Sequence, residues 1–369
     1  MRERAIVGAL GWRAAASRPE YLPGNAMRKR APTYVALLTA TTLVALLAGG
    51  CGSQKPTRKV VRKVADARPA DPIYGRSFYV VSSPATLEAA QLRATGQLAD
   101  ARALTRLADQ PTATWLTGQP NVAAVVRALT LRATALHKST LLVAYDIPGR
   151  DCGGYSSGGA PSAAAYRAWI VQLAQGIGNR VATVIVEPDA IAQSLMSQCA
   201  SAAMGAARLS LLRFAVATLK AQRNVTVYID AGNPGWIKPA SRLAPSLRAA
   251  GISIANGFAL NVANFYSTKS VIHYGLKLSD ALGGKHFVID TGRNGNGPPS
   301  SASSASDGPT WCNPAGRALG QDPTTTTSNP RVDAYLWIKP PGYSDGACQP
   351  GDPPAGQWMA SYALSLALG

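Results

Sequence analysis

The chain has 369 residues, of which 47% are hydrophobic, so it can bury one large core or two modest ones. Its formal net charge of +18 would usually suggest a nucleic-acid partner. However, residues 1–70 hold thirteen Lys and Arg against three Asp and Glu, and the other 299 residues carry only +8 without a long basic run. The charge distribution therefore argues against nucleic-acid binding.

Residues 27–51 have the pattern of an export signal. Met27 opens a basic segment, which is followed by an apolar run and by small residues before Cys51. The apolar run is too short and too soon interrupted to favour a stable membrane span. We therefore predict that Met27 is the true start and that residues 1–50 comprise an upstream extension and a signal peptide.

The residues before Cys51, Ala-Gly-Gly, resemble a bacterial lipobox, so this cysteine is expected to be lipidated. The alternative is an ordinary signal peptide with a spare thiol. Residues 51–72 are polar, basic and proline-containing, which predicts a flexible tether whose cations can also contact anionic lipid. The sequence thus predicts a secreted protein, anchored by lipid to the outer face of a bacterial cell membrane, with one folded domain at residues 73–369.

Within that domain, short apolar runs alternate with longer helical patterns. Strands are predicted at residues 78–81, 141–147, 181–186, 225–229, 252–260, 286–289 and 334–338. Helices are predicted at residues 84–108, 121–136, 161–175, 202–221, 241–249, 270–282 and 356–367. The strands mostly lack strict alternation, as expected when both faces of a sheet are buried. This pattern indicates parallel βαβ units, in a barrel or an open sheet.

Nearly every predicted strand ends in a polar or glycine-rich segment. These segments read "YDIPGRDC", "VEPDA", "YIDAGNPGW", "LNVANFY", "IDTGRNGNG" and "WIKPPGYSDG". In parallel α/β folds the carboxyl ends of the strands meet at one edge and carry the chemistry. Aspartate, asparagine and tryptophan at that edge, with few histidines, predict a cleft that binds sugars.

The segment from Gly154 to Gly158 also matches G-x-S-x-G, which presents a nucleophilic serine in some hydrolases. That motif needs a strand leading directly into Ser156, but the predicted strand ends near Ile147 and a loop intervenes. A serine hydrolase also needs a histidine base, and none of the three histidines follows a strand end: His137, His273 and His286. Carboxylates are therefore the favoured reactive groups.

The strand-end motifs together resemble glycoside hydrolase family 6, the inverting cellulases that include endoglucanases and cellobiohydrolases. The resemblance covers residues 73–369 and rests on seven motifs in order: "YDIPGRDC", "VIVEPDAIA", "YIDAGNPGW", "GFALNVANFY", "FVIDTGRNGNG", "WCN" and "YLWIKPPGYSDG". It implies a distorted seven-stranded parallel α/β barrel, with a cleft or tunnel across its top. It also implies cleavage of a β-1,4-glucan by a monomer, with no cofactor and no metal.

The resemblance implies roles for individual carboxylates. Asp189 of "EPDA" matches the general acid, and Asp151 of "GRDC" matches the carboxylate that modulates the acid and helps to organise water. Asp345 of "YSDG" matches the disputed candidate base. Tyr145 and Ser157 match residues near the central sugar and the water chain.

Further positions match residues that bind the sugar or support those that do: Trp236, Trp311, Asn261, Lys339 and Asp230. Two positions depart from the family. Asn233 replaces a usual histidine, and Tyr343 replaces a common glutamate, so both are expected to change substrate affinity while leaving the acid in place.

Four cysteines remain besides Cys51, and an even set in an exported protein predicts disulfides with three possible connectivities. Their spacing does not match zinc sites. The family resemblance implies the pairs Cys152–Cys199 and Cys312–Cys348.

The loops look compact for the family, which favours an open, endo-acting cleft. Two alternatives remain: a catalytically weakened surface protein that binds glucan, and a secreted serine esterase.

Overall fold

The computed structural model describes residues 72–300 and 309–369. Met27, Cys51 and nearly all of the signal and tether predicted for residues 1–72 lie outside the described residues.

Seven parallel strands form one sheet, and each strand pairs with the next one along the chain. The strands are β1 Thr114–Leu116, β2 Thr140–Ala144, β3 Ala182–Val186, β4 Val225–Asp230, β5 Gly257–Leu260, β6 His286–Asp290 and β7 Val332–Leu336. The sheet curls into a half-barrel whose edges meet at a parallel bridge between Thr112 and Trp337. The predicted fold class, a distorted seven-stranded parallel α/β barrel, is confirmed.

Helices connect the strands and cover the outer face of the sheet. They are α1 Pro84–Ala94, α2 Leu98–Ala108, α3 Val122–Ala135, α4 Ala163–Ile177, α5 Ala190–Gln193, α6 Ala202–Lys220, α7 Ala244–Ala249, α8 Thr268–Ala281 and α9 Ala360–Leu368, with 3₁₀ turns at Asp151–Gly153 and Ala240–Leu243. Serine side chains cap the N-termini of three long helices. Ser162 accepts a hydrogen bond from the Ala165 N–H at 3.1 Å, Ser201 accepts one from the Met204 N–H at 3.3 Å, and Ser267 accepts one from the Ser270 N–H at 3.4 Å.

The prediction for the first strand is wrong. Residues 78–81 make only an isolated bridge, between Phe78 and Ser139, and β1 lies at Thr114–Leu116 instead. A strand of three residues is too short to produce a periodic pattern, whereas the other six predicted strands all overlap observed ones.

The two faces of the sheet are buried against different clusters. In β2, Leu142 and Ala144 pack with the helices outside, whereas Leu141 and Val143 belong to a second cluster inside the curl. This double burial explains the absence of polar alternation in the strands. Helix α6 is long and apolar enough to cross a membrane by composition, but its apolar side packs in the outer cluster.

The backbone is unusual at the carboxyl ends of the strands. Asp151, Glu187, Asp189 and Asn261 have φ values of 57°, 49°, 71° and 66°, in the left-handed region that few non-glycine residues adopt. Such conformations persist only where surrounding contacts hold them, and they cluster at functional sites. The backbone conformation therefore indicates a functional site at this end of the half-barrel.

Candidate active site

A cavity of about 1000 Å³ lies at the carboxyl ends of the strands. Most of the predicted site residues line it: Tyr145, Asp151, Ser157, Asp189, Asn233, Trp236, Trp311, Lys339, Tyr343 and Asp345. Asp230 and Asn261 are fully buried and are not among the lining residues. The three histidines do not line the cavity either, so it has no histidine base for a serine nucleophile.

Asp189 is placed by the turn between β3 and α5. Its backbone N–H donates to Oδ2 of Asp230 at 2.8 Å, which fixes the left-handed conformation of the residue. Burial, and then the negative charges of Asp230 and Asp151, raise the pKa of Asp189 well above its ordinary value, against a smaller opposing effect of Lys339. The raised pKa favours the protonated form of the Asp189 carboxyl, as a general acid requires.

Asp230 stabilises this turn through hydrogen bonds to the backbone. Its Oδ2 also accepts the Gly232 N–H at 3.1 Å, and burial raises its pKa to about 7 although these two N–H groups lower it. Asp230 is fully buried under the turn, so of the two roles that the family resemblance allowed, binding or support, its position fits support.

Asn261 likewise lies in a supporting position, one of the two roles that the family resemblance allowed. Its Nδ2 donates to the carbonyl of Asp290 at 3.0 Å, and its Oδ1 accepts the Tyr266 N–H at 3.2 Å. The side chain is fully buried, so its hydrogen bonds shape the loop after β5 and leave no exposed polar atom for a sugar.

Asp151 belongs to a chain of hydrogen bonds. Its Oδ2 accepts the backbone N–H of Ser156 at 2.7 Å and the Ser156 hydroxyl at 2.9 Å. The same hydroxyl lies 3.0 Å from the Tyr145 hydroxyl. Ser157, the predicted supporting serine, lines the cavity beside this chain, but the hydroxyl that connects Tyr145 to Asp151 is that of Ser156.

Tyr145 and Arg150 hold the loop that carries Asp151. Arg150 donates from Nε to the Ser156 carbonyl and from Nη1 to the Tyr145 carbonyl, both at 2.8 Å. Burial, and then the nearby Asp189, raise the pKa of Tyr145, so its hydroxyl stays protonated. Arg150 stands in the "GRDC" motif, but sequence reasoning did not select it.

Glu187 is a further residue that sequence reasoning missed. It is fully buried, and its carboxyl accepts the backbone N–H groups of Asp146 at 3.1 Å and Ile147 at 3.0 Å. Burial raises its pKa to about 8, although these hydrogen bonds oppose the change. Glu187 thereby ties the end of β2 to the turn that carries Asp189.

Asp345 is held by two cations. Arg293 donates from Nη1 to Oδ2 at 2.7 Å and from Nη2 to Oδ1 at 3.0 Å, and Lys339 Nζ lies 3.2 Å from Oδ1. Burial alone would raise the pKa of Asp345, but Arg293 and Lys339 outweigh it and lower that pKa. The group is therefore a fixed carboxylate with low basicity, and the Asn313 N–H also donates to it at 3.1 Å.

The predicted binding residues surround these carboxylates. Trp236 donates from Nε1 to Sδ of Met196 at 3.0 Å, and Asn233 accepts the Gly235 N–H at 3.0 Å and so shapes the turn before Trp236. Lys339, which lines the cavity, also donates to the Ser344 carbonyl at 2.8 Å. Tyr343 packs edge-on against Trp358, with ring centroids 5.3 Å apart.

Both disulfides implied by the resemblance are confirmed. Cys152 pairs with Cys199 and ties the Asp151 loop to the segment after α5. Cys312 pairs with Cys348 and ties the segment of Trp311 to the loop that follows Asp345.

Comparisons with known proteins agree with this geometry. The family model "Glycosyl hydrolases family 6" matches residues 73–368. Endoglucanase A of Cellulomonas fimi is 45% identical over 248 residues, which are 66% of this chain and 50% of that protein. Endoglucanase A of Thermobispora bispora is 44% identical over 237 residues, which are 61% of this chain and 48% of that protein. The chain thus spans about half the length of these curated relatives.

A solved structure supports the same relationship. The endoglucanase Cel6 from Mycobacterium tuberculosis, in complex with methyl-cellobiosyl-4-deoxy-4-thio-β-D-cellobioside, has a TM-score of 0.73 and 43% identity. The match covers 81% of this chain and 99% of that one. With the family model matched over nearly the whole folded region, the chain belongs to glycosyl hydrolase family 6.

Proposed function

We propose that the protein hydrolyses β-1,4-glucosidic bonds in a cellulose-like glucan, with inversion at the anomeric carbon and with an endo mode of attack. The observation that carries the proposal is the position of the Asp189 carboxyl in the cavity wall, where burial and the charges of Asp230 and Asp151 raise its pKa. The endoglucanase names of the relatives at 44–45% identity support the substrate class.

In this mechanism Asp189 donates its proton to the departing glycosidic oxygen as the bond to the anomeric carbon breaks. The nearby Asp151 favours the protonated form of Asp189 until substrate is in place. A water molecule attacks the opposite face of the sugar ring. Product release and uptake of a proton from solvent restore Asp189.

The attacking water must lose a proton, and Asp345 is a poor acceptor because Arg293 and Lys339 stabilise its charge. The Ser156–Asp151 pair offers a second route, since Asp151 is a carboxylate within hydrogen-bond reach of a hydroxyl that can pass a proton. We therefore assign proton acceptance to Asp151 through water or Ser156, and to Asp345 an electrostatic role.

Binding of the glucan is assigned to the aromatic faces in the cavity. Trp236 and Trp311 both line it, and aromatic rings pack well against the apolar faces of sugars. Tyr343 also lines the cavity and packs against Trp358, with the two ring planes inclined by 71°.

Proton NMR of cellotetraose cleavage tests the activity and the stereochemistry together. Inversion predicts that the first product to accumulate is the α-anomer, before mutarotation. Formation of the β-anomer first would contradict the mechanism, and binding without any turnover would favour the alternative of a surface protein that only holds glucan.

We also propose that the chain is exported and anchored through lipid on Cys51, with residues 51–72 as a tether and the folded domain acting as a monomer. The two disulfides support an oxidising compartment. Lipidation predicts partition of the expressed protein into a detergent phase, and the Cys51→Ala variant should remain in the aqueous phase. Partition that is the same for both forms would contradict the anchor.

A further inference from the structure

Tyr155 connects two loops that flank the cavity. It lies between Asp151 and Ser156 in the loop after β2, and its side chain packs against Gly346 in the loop after β7. A Cβ placed on Gly346 would lie 2.6 Å from Cγ of Tyr155, far inside the usual carbon contact distance of about 3.5–4.0 Å. Because Gly346 has no side chain, the side chain of Tyr155 can occupy this position.

The same tyrosine ring also contacts Trp311. The two ring centroids are 6.0 Å apart and the planes are inclined by 60°, within the range of about 4.5–7 Å for a direct aromatic pair. A sugar held between two aromatic faces would need the rings about 7–8 Å apart, since each face requires its own contact distance. The rings of Tyr155 and Trp311 therefore contact each other and do not flank a sugar.

The segments that meet here are anchored. The Cys152–Cys199 disulfide holds the loop of Tyr155, and Cys312–Cys348 holds the residue next to Trp311 to the loop that contains Gly346. Tyr155 and Trp311 are 46% and 42% exposed, so their contact lies at the surface of the cavity and not in the core. A surface contact between anchored loops can open without unfolding the domain.

We propose that Tyr155 is a specificity-determining residue that latches the cleft across the site of Asp189. While the latch is closed, a glucan chain enters by a free end. An interior segment, or a chain with bulky substituents, reaches the site only when Tyr155 leaves Gly346 and Trp311. This inference rests on the proposed glucanase function, and it makes endo attack dependent on opening of the latch.

The test uses the full chain and two substrates. The kcat/KM on carboxymethyl cellulose is divided by the kcat/KM on cellopentaose for wild type, Tyr155→Ala and Tyr155→Phe. Loss of one aromatic pair should raise this ratio about three- to tenfold in Tyr155→Ala, with a steeper viscosity drop per reducing end. Tyr155→Phe keeps the ring and should stay near wild type. Tyr74→Ala removes a tyrosine that is 68% exposed outside the cavity and should change nothing.

Amide hydrogen exchange without glucan provides a readout that does not depend on hydrolysis. Tyr155→Ala should accelerate exchange at residues 346–356, across the cleft from the substitution, and leave β2 unchanged. An unchanged substrate ratio, or unchanged exchange in that loop, overturns the latch while the glucanase function stands. If neither wild type nor any variant cleaves either glucan, the proposed function is wrong. The exchange result then still decides whether Tyr155 holds the two loops together.

Discussion

Asp189 and Asp345 line the same cleft, yet their surroundings shift the pKa values of their carboxyl groups in opposite directions. Burial raises the pKa of both groups. Near Asp189 the additional charges are mainly negative, from Asp230 and Asp151, whereas Asp345 contacts Arg293 and Lys339. The sign of the neighbouring charge, and not the degree of burial, therefore determines which aspartate can donate a proton.

This difference also separates chemistry from support. A protonated carboxyl at the cavity wall is available to a glycosidic oxygen, while a carboxylate with both oxygens in ion pairs mainly organises the loop around it. Substitution of Asp189 should therefore lower the rate of catalysis, whereas removal of a cation beside Asp345 should lower the free energy of unfolding.

The largest effect is expected for Asp189→Asn. Removal of the proton donor should lower kcat on cello-oligosaccharides by about 10³-fold or more. The loss should be much smaller on an aryl cellobioside with an acidic leaving group, because such a group departs without protonation. Asp280→Asn, at an aspartate whose side chain is 67% exposed, serves as the control. An equal loss on both substrates would contradict the role of Asp189 as acid.

Arg293→Met tests whether the buried cation beside Asp345 stabilises the fold. Arg293 is almost fully buried, and without it Asp345 keeps Lys339 as its cationic partner. The free energy of unfolding, measured by urea titration, should fall by about 3 kcal/mol or more.

The exposed pair of Arg331 and Asp280 offers a matched control, since its side chains are 37% and 67% exposed. Arg331→Met should cost about 1 kcal/mol or less. Similar losses in the two variants would mean that the Arg293 pair contributes no more than a surface contact.

Asp151→Asn removes the assigned proton acceptor and should lower kcat, and the activity that remains should show a smaller, separate effect on the pH profile. Activity requires protonated Asp189, so kcat falls as pH rises through the pKa of that group. The negative charge of Asp151 raises this pKa, and its removal should move the basic limb of the profile to lower pH. A shift to higher pH, or no shift in the residual activity, would contradict the electrostatic coupling.

Several parts of this site could be predicted from the sequence because parallel strands present their carboxyl ends at one edge. The motif of each of Asp151, Asp189 and Asp345 follows a strand, so the sequence predicts that they lie at one edge although up to 194 positions separate them. All three line the same cavity. The periodic apolar runs likewise located six of the seven strands, and β1 escaped because three residues carry no period.

Other parts depend on loop conformation and could not be predicted in this way. Arg293 meets Asp345 from a loop 52 positions earlier, and only the folded chain brings the two together. The choice between neighbouring hydroxyls is similar, because the left-handed backbone at Asp151 and Cys152 decides which serine turns toward the carboxylate. The family resemblance indicated Ser157, whereas in the folded loop it is the Ser156 hydroxyl that donates to Asp151.

The smallest predicted effect distinguishes the roles of the two neighbouring serines, Ser156 and Ser157. Ser156→Ala removes one hydrogen bond to Asp151 but keeps the backbone N–H at 2.7 Å, so kcat/KM should fall by about tenfold or less. Ser157→Ala changes the adjacent hydroxyl, outside the chain from Tyr145 to Asp151, and should cost less. A larger loss in Ser157→Ala would return the supporting role to the residue that the family resemblance indicated. Complete loss in Ser156→Ala, together with labelling by a serine-directed phosphonate, would revive the esterase alternative, because a hydroxyl that only orders a carboxylate is not expected to form a covalent bond.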